Sequence, residues 1–231
     1  MERRRFLQFC GAAAAGIGSG SLAADVRPQL YTRARLLDAG GQPLRAAQVP
    51  ANRTLVFHYP YASTPCFLLN LGRPAKAGAT LKTADNQSYE WKGGVGASRA
   101  VVAYSAICAH KLTYPTRDIS FISFRTDKGA GNKHANVIHC CSEHSQYDPA
   151  QGGRVLAGPA PQPLAAILLE HDAASDELTA VGTLGGEMFE AFFDKYAFRL
   201  ALESGGAPRR TVAGSVQVTA LEQYCKQQVK C

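Results

Sequence analysis

The stretch His139–Pro149, "HCCSEHSQYDP", places two adjacent cysteines between two histidines and follows them with Ser145, Tyr147 and Asp148. That density of metal-ligating side chains exceeds what an ordinary connecting loop carries. Upstream, "ICAHKL" puts Cys108 and His110 in C-x-H spacing, while Cys141 and His144 stand in C-x-x-H spacing. Cysteine and histidine one or two residues apart on a tight loop reach a metal centre from one side. Two such loops facing each other supply two thiolates and two imidazoles, a soft donor set suited to zinc or to an iron–sulfur cluster. The C-x-H pair weighs against common zinc fingers, whose first pair is usually two cysteines a few residues apart.

The rest of the chain provides a β-rich setting. Its 231 residues, with 22 Gly and 12 Pro, suffice for one domain or one domain with an inserted subdomain. Short runs such as "TLVFHYPY", "CFLLNLG", "SYEWKG", "RAVVAYSAI", "DISFISFRT", "RVLAG", "AAILLEHD" and "ELTAVGT" predict strands. Two helices are predicted. Met188, Phe189, Phe192, Phe193 and Tyr196 recur at helical spacing, and Thr219 with Glu222 has capping-box spacing ahead of Cys225. The net charge of +7 is not arranged as a Lys/Arg stripe interleaved with aromatics, so nucleic acid is not an expected partner.

"VVAYSAICAHKL" and "HCCSEHSQYDPAQGGRVLAGPAPQPL" together resemble the Rieske iron–sulfur family over roughly residues 99–170. The resemblance rests on C-x-H, C-x-x-H, Tyr147-Asp148, Gly152-Gly153 and the "GPAP" run Gly158–Pro161, which is similar to the proline loop covering the cluster. It implies a [2Fe–2S] cluster with two cysteines on one iron and two histidines on the other. The implied metal ligands are Cys108, His110, Cys141 and His144, with Tyr147 and Ser145 as hydrogen-bonding neighbours and Pro159 in the covering loop. The implied fold is mainly β: an antiparallel β-sheet Rieske fold with one or two short helices. A small cluster-binding subdomain, about residues 104–165, would be inserted in a domain spanning 25–231.

This sequence departs from the family pattern in three places. Cytochrome bc members usually carry a further cysteine in each loop, and these pair as a clamp; Thr113 and Glu143 stand at the corresponding positions, so no such clamp is expected. The spacer between the loops is longer, with "RTDKGAGNK" as the inserted stretch. Finally, Ser145 and Tyr147 follow His144 one residue earlier than in many members. Counting back from Tyr147 makes Cys140 the ligand, in C-x-x-x-H spacing, whereas the C-x-x-H rule favours Cys141. His139 reads as a bystander, Cys66 as a buried thiol, and Cys225 with Cys231 as a candidate disulfide.

Residues 1–24 read as a targeting segment. "ERRRFLQF" resembles a twin-arginine export signal, with Glu2 and Gln8 as departures, and "SLA" offers a cleavage option after Ala23. The expectation is therefore a periplasmic protein, soluble or held at the inner membrane by an uncleaved signal. Its expected role is electron transfer, as a carrier or as a subunit of a respiratory oxidoreductase rather than a stand-alone enzyme. Its redox partner would be a cytochrome, another oxidoreductase subunit or quinol. The competing reading is a zinc-binding structural or interaction protein that uses the same two cysteines and two histidines.

Overall fold

A computed structural model describes residues 26–128 and 134–231. The twin-arginine segment lies outside the described residues, as does most of the polar stretch within 127–133. The first half of the fold comprises strands β1 (Gln29–Leu37), β2 (Leu55–His58), β3 (Pro65–Asn70), β4 (Ala79–Lys82), β5 (Ser88–Trp91) and β6 (Val101–Ser105). Strands β7 (Ile119–Ser120), β8 (Ile122–Arg125), β9 (Val137–Cys140), β10 (Ser145–Asp148) and β11 (Arg154–Ala157) follow. The chain continues through β12 (Ala166–His171), β13 (Leu178–Leu184), helix α1 (Phe189–Glu203), β14 (Gly214–Gln217), β15 (Thr219–Ala220), the single turn α2 (Leu221–Tyr224) and β16 (Gln227–Gln228). The protein is mainly β, as its sequence predicts.

Eight strands form the base sheet in the order β14-β1-β13-β12-β6-β3-β2-β15. Its pairings are antiparallel except for β1 with β14. Side chains alternate across a strand, and here both faces are covered. Val56, Phe67, Leu69, Val102 and Tyr104 point into one buried cluster, while Leu55, Phe57, Cys66, Leu68, Val101 and Ala103 point into another. This two-sided burial explains why β2, β3 and β6 read as continuous apolar runs. Cys66 is the buried thiol expected of it.

Strands β6 and β12 are neighbours, Ala166 opposite Tyr104, yet some sixty residues run between them. Those residues build a second antiparallel sheet in the order β11-β10-β9-β8. The same buried cluster that receives Tyr104 also contains Ile122, Ile138, Cys140 and Tyr147, so the two sheets share a core. The Tyr104 hydroxyl fixes their spacing by donating to the Pro149 carbonyl at 2.8 Å.

The helices differ in part from expectation. The aromatic stripe forms α1, which buries Phe189, Phe192, Phe193 and Leu200 and kinks at Tyr196. The Thr219–Glu222 capping box does not form. Thr219 is drawn into β15 opposite Val56, leaving a one-turn helix preceded by Ala220. "DISFISFRT" is divided at Phe121 into β7, which pairs with β16, and β8, which pairs with β9. Among the described residues, no helix is long and apolar enough to cross a membrane.

His58 ends β2 with Nε2 3.3 Å from the Tyr224 hydroxyl. Burial, reinforced by the Arg117 charge, pushes its pKa down from 6.5 to about 4. The unfolded chain therefore takes up this proton first. The contribution of His58 to stability is complete above pH 6.5 and is lost as the pH falls toward about 4, levelling off below. Urea unfolding across that window should show a decline of roughly 1–3 kcal/mol from this residue. A His58→Gln variant should remove that part of the pH slope.

Candidate metal centre

Cys108 and Cys140 meet in the core between the two sheets. Cys108 follows β6 and heads a tight turn, its N–H donating to the Thr113 carbonyl at 2.8 Å and its carbonyl accepting from Leu112 at 3.0 Å. Cys140 ends β9 opposite Ser145 of β10 and Ile122 of β8. Both cysteines are fully buried, and their thiols are hydrogen-bonded to one another. The Tyr147 hydroxyl lies 3.2 Å from the Cys108 sulfur and accepts the Ala109 N–H at 3.2 Å.

This arrangement divides the two thiols electrostatically. The hydrogen bond from Cys140 pulls the Cys108 pKa below the usual thiol range against the opposing effect of burial, with further help from Tyr147 and the His110 and Lys111 N–H groups. Cys140 is held above the usual thiol range by its bond to Cys108 and by burial. Two thiols in contact, one of them favoured to ionise, are a donor pair suited to a soft metal.

Two nearby polar atoms support that reading. The His110 Nδ1 atom and the Ser145 hydroxyl are buried with no hydrogen-bond partner. A buried imidazole nitrogen left unpaired is costly, and a coordinated metal resolves the cost. Ser145 projects from β10 directly opposite Cys140, as a donor to sulfur in this centre would. His144, at the end of the β9–β10 turn, is exposed and adopts a left-handed backbone with φ 58°.

Cys141 has a different partner from Cys140. Its sulfur is bonded to Cys231, 90 residues away in sequence, so it is committed to a disulfide and is not a free thiolate. Cys140 instead faces Cys108, because alternation along β9 turns Ile138 and Cys140 toward the shared core. The same bond excludes the Cys225–Cys231 pairing, and Cys225 is a free, buried thiol. His139 points to the opposite face, against the sulfur of Cys231 at 3.6 Å and with its ring 5.8 Å from that of His144. His139, Cys141 and Cys231 also lie close enough together to resemble a metal-ligand group, but two of the three are joined as a disulfide.

The covering loop packs against the second ligand loop through its glycine. Gly158 has φ 86°, and a Cβ there would fall 2.5 Å from Ser145 Cα and 2.6 Å from the His144 carbonyl. Pro159 is exposed, and Ala160 is the residue of the run that packs on the core containing Cys108 and Cys140. Helix α1, whose role at the site was not evident from its core-like stripe, supports the first loop. Ile107, Leu112 and Tyr114 pack with Phe189, Phe192, Phe193 and Leu200. Tyr114 meets Phe192 edge-on at 4.9 Å, and Lys195 donates to the Lys111 carbonyl at 2.6 Å.

Gly158→Ala should cost about 1–3 kcal/mol in denaturant unfolding, because neither the positive φ nor the His144–Ser145 backbone can readily accommodate the methyl group. Pro159→Ala, at an exposed side chain, should stay within about 0.5 kcal/mol of wild type.

No protein-family model matches the chain. The iodate reductase subunit IdrB of Pseudomonas sp. (strain SCT) is 28% identical over 189 residues, covering 80% of each chain. The soluble domain of Rieske protein II (soxF) from Sulfolobus acidocaldarius is 26% identical, covering 66% of this chain and 78% of that one, with a TM-score of 0.45. The chain is thus similar, over most of its length, to a reductase subunit.

Proposed function

We propose that this chain is an electron-transfer subunit of an exported oxidoreductase. It would carry a [2Fe–2S] cluster held by Cys108 and Cys140 on one iron and by His110 and His144 on the other. The observation that carries this reading is the contact between the Cys108 and Cys140 thiols beneath Tyr147, with the unpartnered His110 Nδ1 atom on the same loop. When bound, such a cluster accepts and returns one electron at a time, at a potential raised by its two neutral imidazole ligands. The protein excludes water from the two sulfurs by burying Cys108, Cys140, Ala109 and Tyr147. The Tyr147 hydroxyl, 3.2 Å from the Cys108 sulfur, would donate to it when that sulfur binds metal and so stabilise negative charge there. His144 lies on the exposed turn, where a redox partner can approach it.

The related iodate reductase subunit supports a place beside a catalytic subunit as the electron acceptor or donor. Residues 1–24 would direct export to the periplasm, and the twin-arginine route suits a protein folded around its cofactor before translocation. An uncleaved segment would also hold the protein at the inner membrane, where quinol is a further candidate donor.

Purified full-length protein should be coloured, contain two irons per chain and give an electron paramagnetic resonance signal on reduction. Cys140→Ser and His144→Ala should abolish the signal. A colourless wild-type protein with stoichiometric zinc would instead establish the zinc-binding alternative. Fractionation of the producing cells tests export: recovery of the protein solely from the cytoplasm would exclude it.

A further inference from the structure

We propose that the segment Lys226–Cys231 is an external clamp on the cluster loops, with Cys141 and Cys231 as positioning residues. The proposal rests on the Rieske reading of the site. Among the described residues, no disulfide joins the two ligand loops to one another; the disulfide present joins the second loop to this segment.

The segment grips both loops. On one side, β16 pairs in parallel with β7, Gln227 opposite Ile119 and Gln228 opposite Ser120, where the chain leaves the first ligand loop. Three backbone bonds secure it: Lys226 N–H to the Arg117 carbonyl at 3.0 Å, Gln227 to Asp118 at 3.0 Å and Val229 to Ser120 at 2.9 Å. On the other side, Cys231 is covalently bonded to Cys141, the residue after Cys140. Arg125 of β8 closes the arrangement, its guanidinium donating to the Val229 carbonyl and lying 3.8 Å from the Cys141 sulfur. Buried His139 backs the disulfide from the strand side.

The geometry assigns the two adjacent cysteines opposite tasks. Cys140 turns inward to Cys108, and Cys141 turns outward to the clamp. Between Cys140 and His144 lie only the turn residues, so restraining Cys141 restrains the relative placement of both ligands of this loop. The Cys141 N–H also donates to the Phe121 carbonyl at 2.6 Å, linking the same turn to the segment between β7 and β8. The restraint thus runs from the outlet of the first loop, through β16 and Cys231, to the middle of the second. Ligand orientation set in this way governs how tightly a metal is held.

The test uses the full-length holoprotein with Cys141→Ala, Cys231→Ala and the double variant. Each should retain the cluster, with changed paramagnetic resonance g values and a shifted reduction potential. Each should also release iron to a chelator roughly tenfold faster than wild type, the scale typical of lost ligand-orienting contacts. The double variant should behave as either single, since one bond is lost in all three. Mild reduction of wild type with dithiothreitol, which yields two thiols and oxidised reagent, should reproduce the variants. Wild-type signals, potential and release rate in every variant would overturn the clamp. So would non-reducing peptide mapping that finds Cys231 unpaired, or loss of the cluster in Cys141→Ala alone, which would make Cys141 a ligand. If wild type contains no iron, the cluster reading fails separately. The clamp is then judged by amide exchange at Cys141 and Val229, which should quicken about tenfold in Cys231→Ala as local opening becomes easier. Unchanged exchange would overturn it.

Discussion

The buried contact between Cys108 and Cys140 is the interaction around which the rest of the molecule is arranged. Bringing two thiols together in an apolar core is unfavourable unless the charge they develop is stabilised locally. Here the hydrogen bond from Cys140, the Tyr147 hydroxyl and the N–H groups of His110 and Lys111 provide that stabilisation. None of these groups lies close to Cys140 in sequence except Tyr147, so the contact exists only when the two sheets are docked.

Docking follows from the pairing of β6 with β12. Because these strands are neighbours in the base sheet, the segment between them must leave and return at the same place. It forms its own sheet and buries one face against the base sheet through Tyr104, Ile138 and Tyr147. Cys108 stands where the chain leaves β6, and Cys140 stands at the inner end of β9. The shared core therefore sets their separation, and the ligand loops need little structure of their own.

The loops are supported from outside by two different means. The first rests on helix α1 through a buried apolar cluster in which Leu112 and Tyr114 join Phe192 and Phe193, with Tyr114 edge-on to Phe192. The second is held covalently through Cys141 and sits beneath Gly158, whose missing side chain lets the covering loop approach the His144–Ser145 backbone. A cross-link over 90 residues also restricts the unfolded chain strongly, worth about 4–5 kcal/mol in the chain-entropy picture. Support and stability thus come from the same bond.

Much of this was legible in the sequence because it depends on local chemistry. The C-x-H pair, the histidine-flanked cysteines, the strand runs and the aromatic stripe of α1 all announce themselves over a few residues. The choice between Cys140 and Cys141 does not, because C-x-x-H spacing and the position of Tyr147 point to different cysteines. Strand register sets which of the two faces Cys108: Tyr147 opposite Ile138 and Ser145 opposite Cys140 turn Cys140 inward, and a shift by one residue would reverse every side chain on β9. The partner of Cys231 was equally hidden. Proximity in sequence favoured Cys225, but the pairing of β16 with β7 carries Cys231 to the second loop, where Cys141 is waiting. Sequence alone determined which residue types gather at this site. Tertiary structure decided which cysteine faces Cys108 and which one bonds to Cys231, because both depend on contacts between segments far apart along the chain.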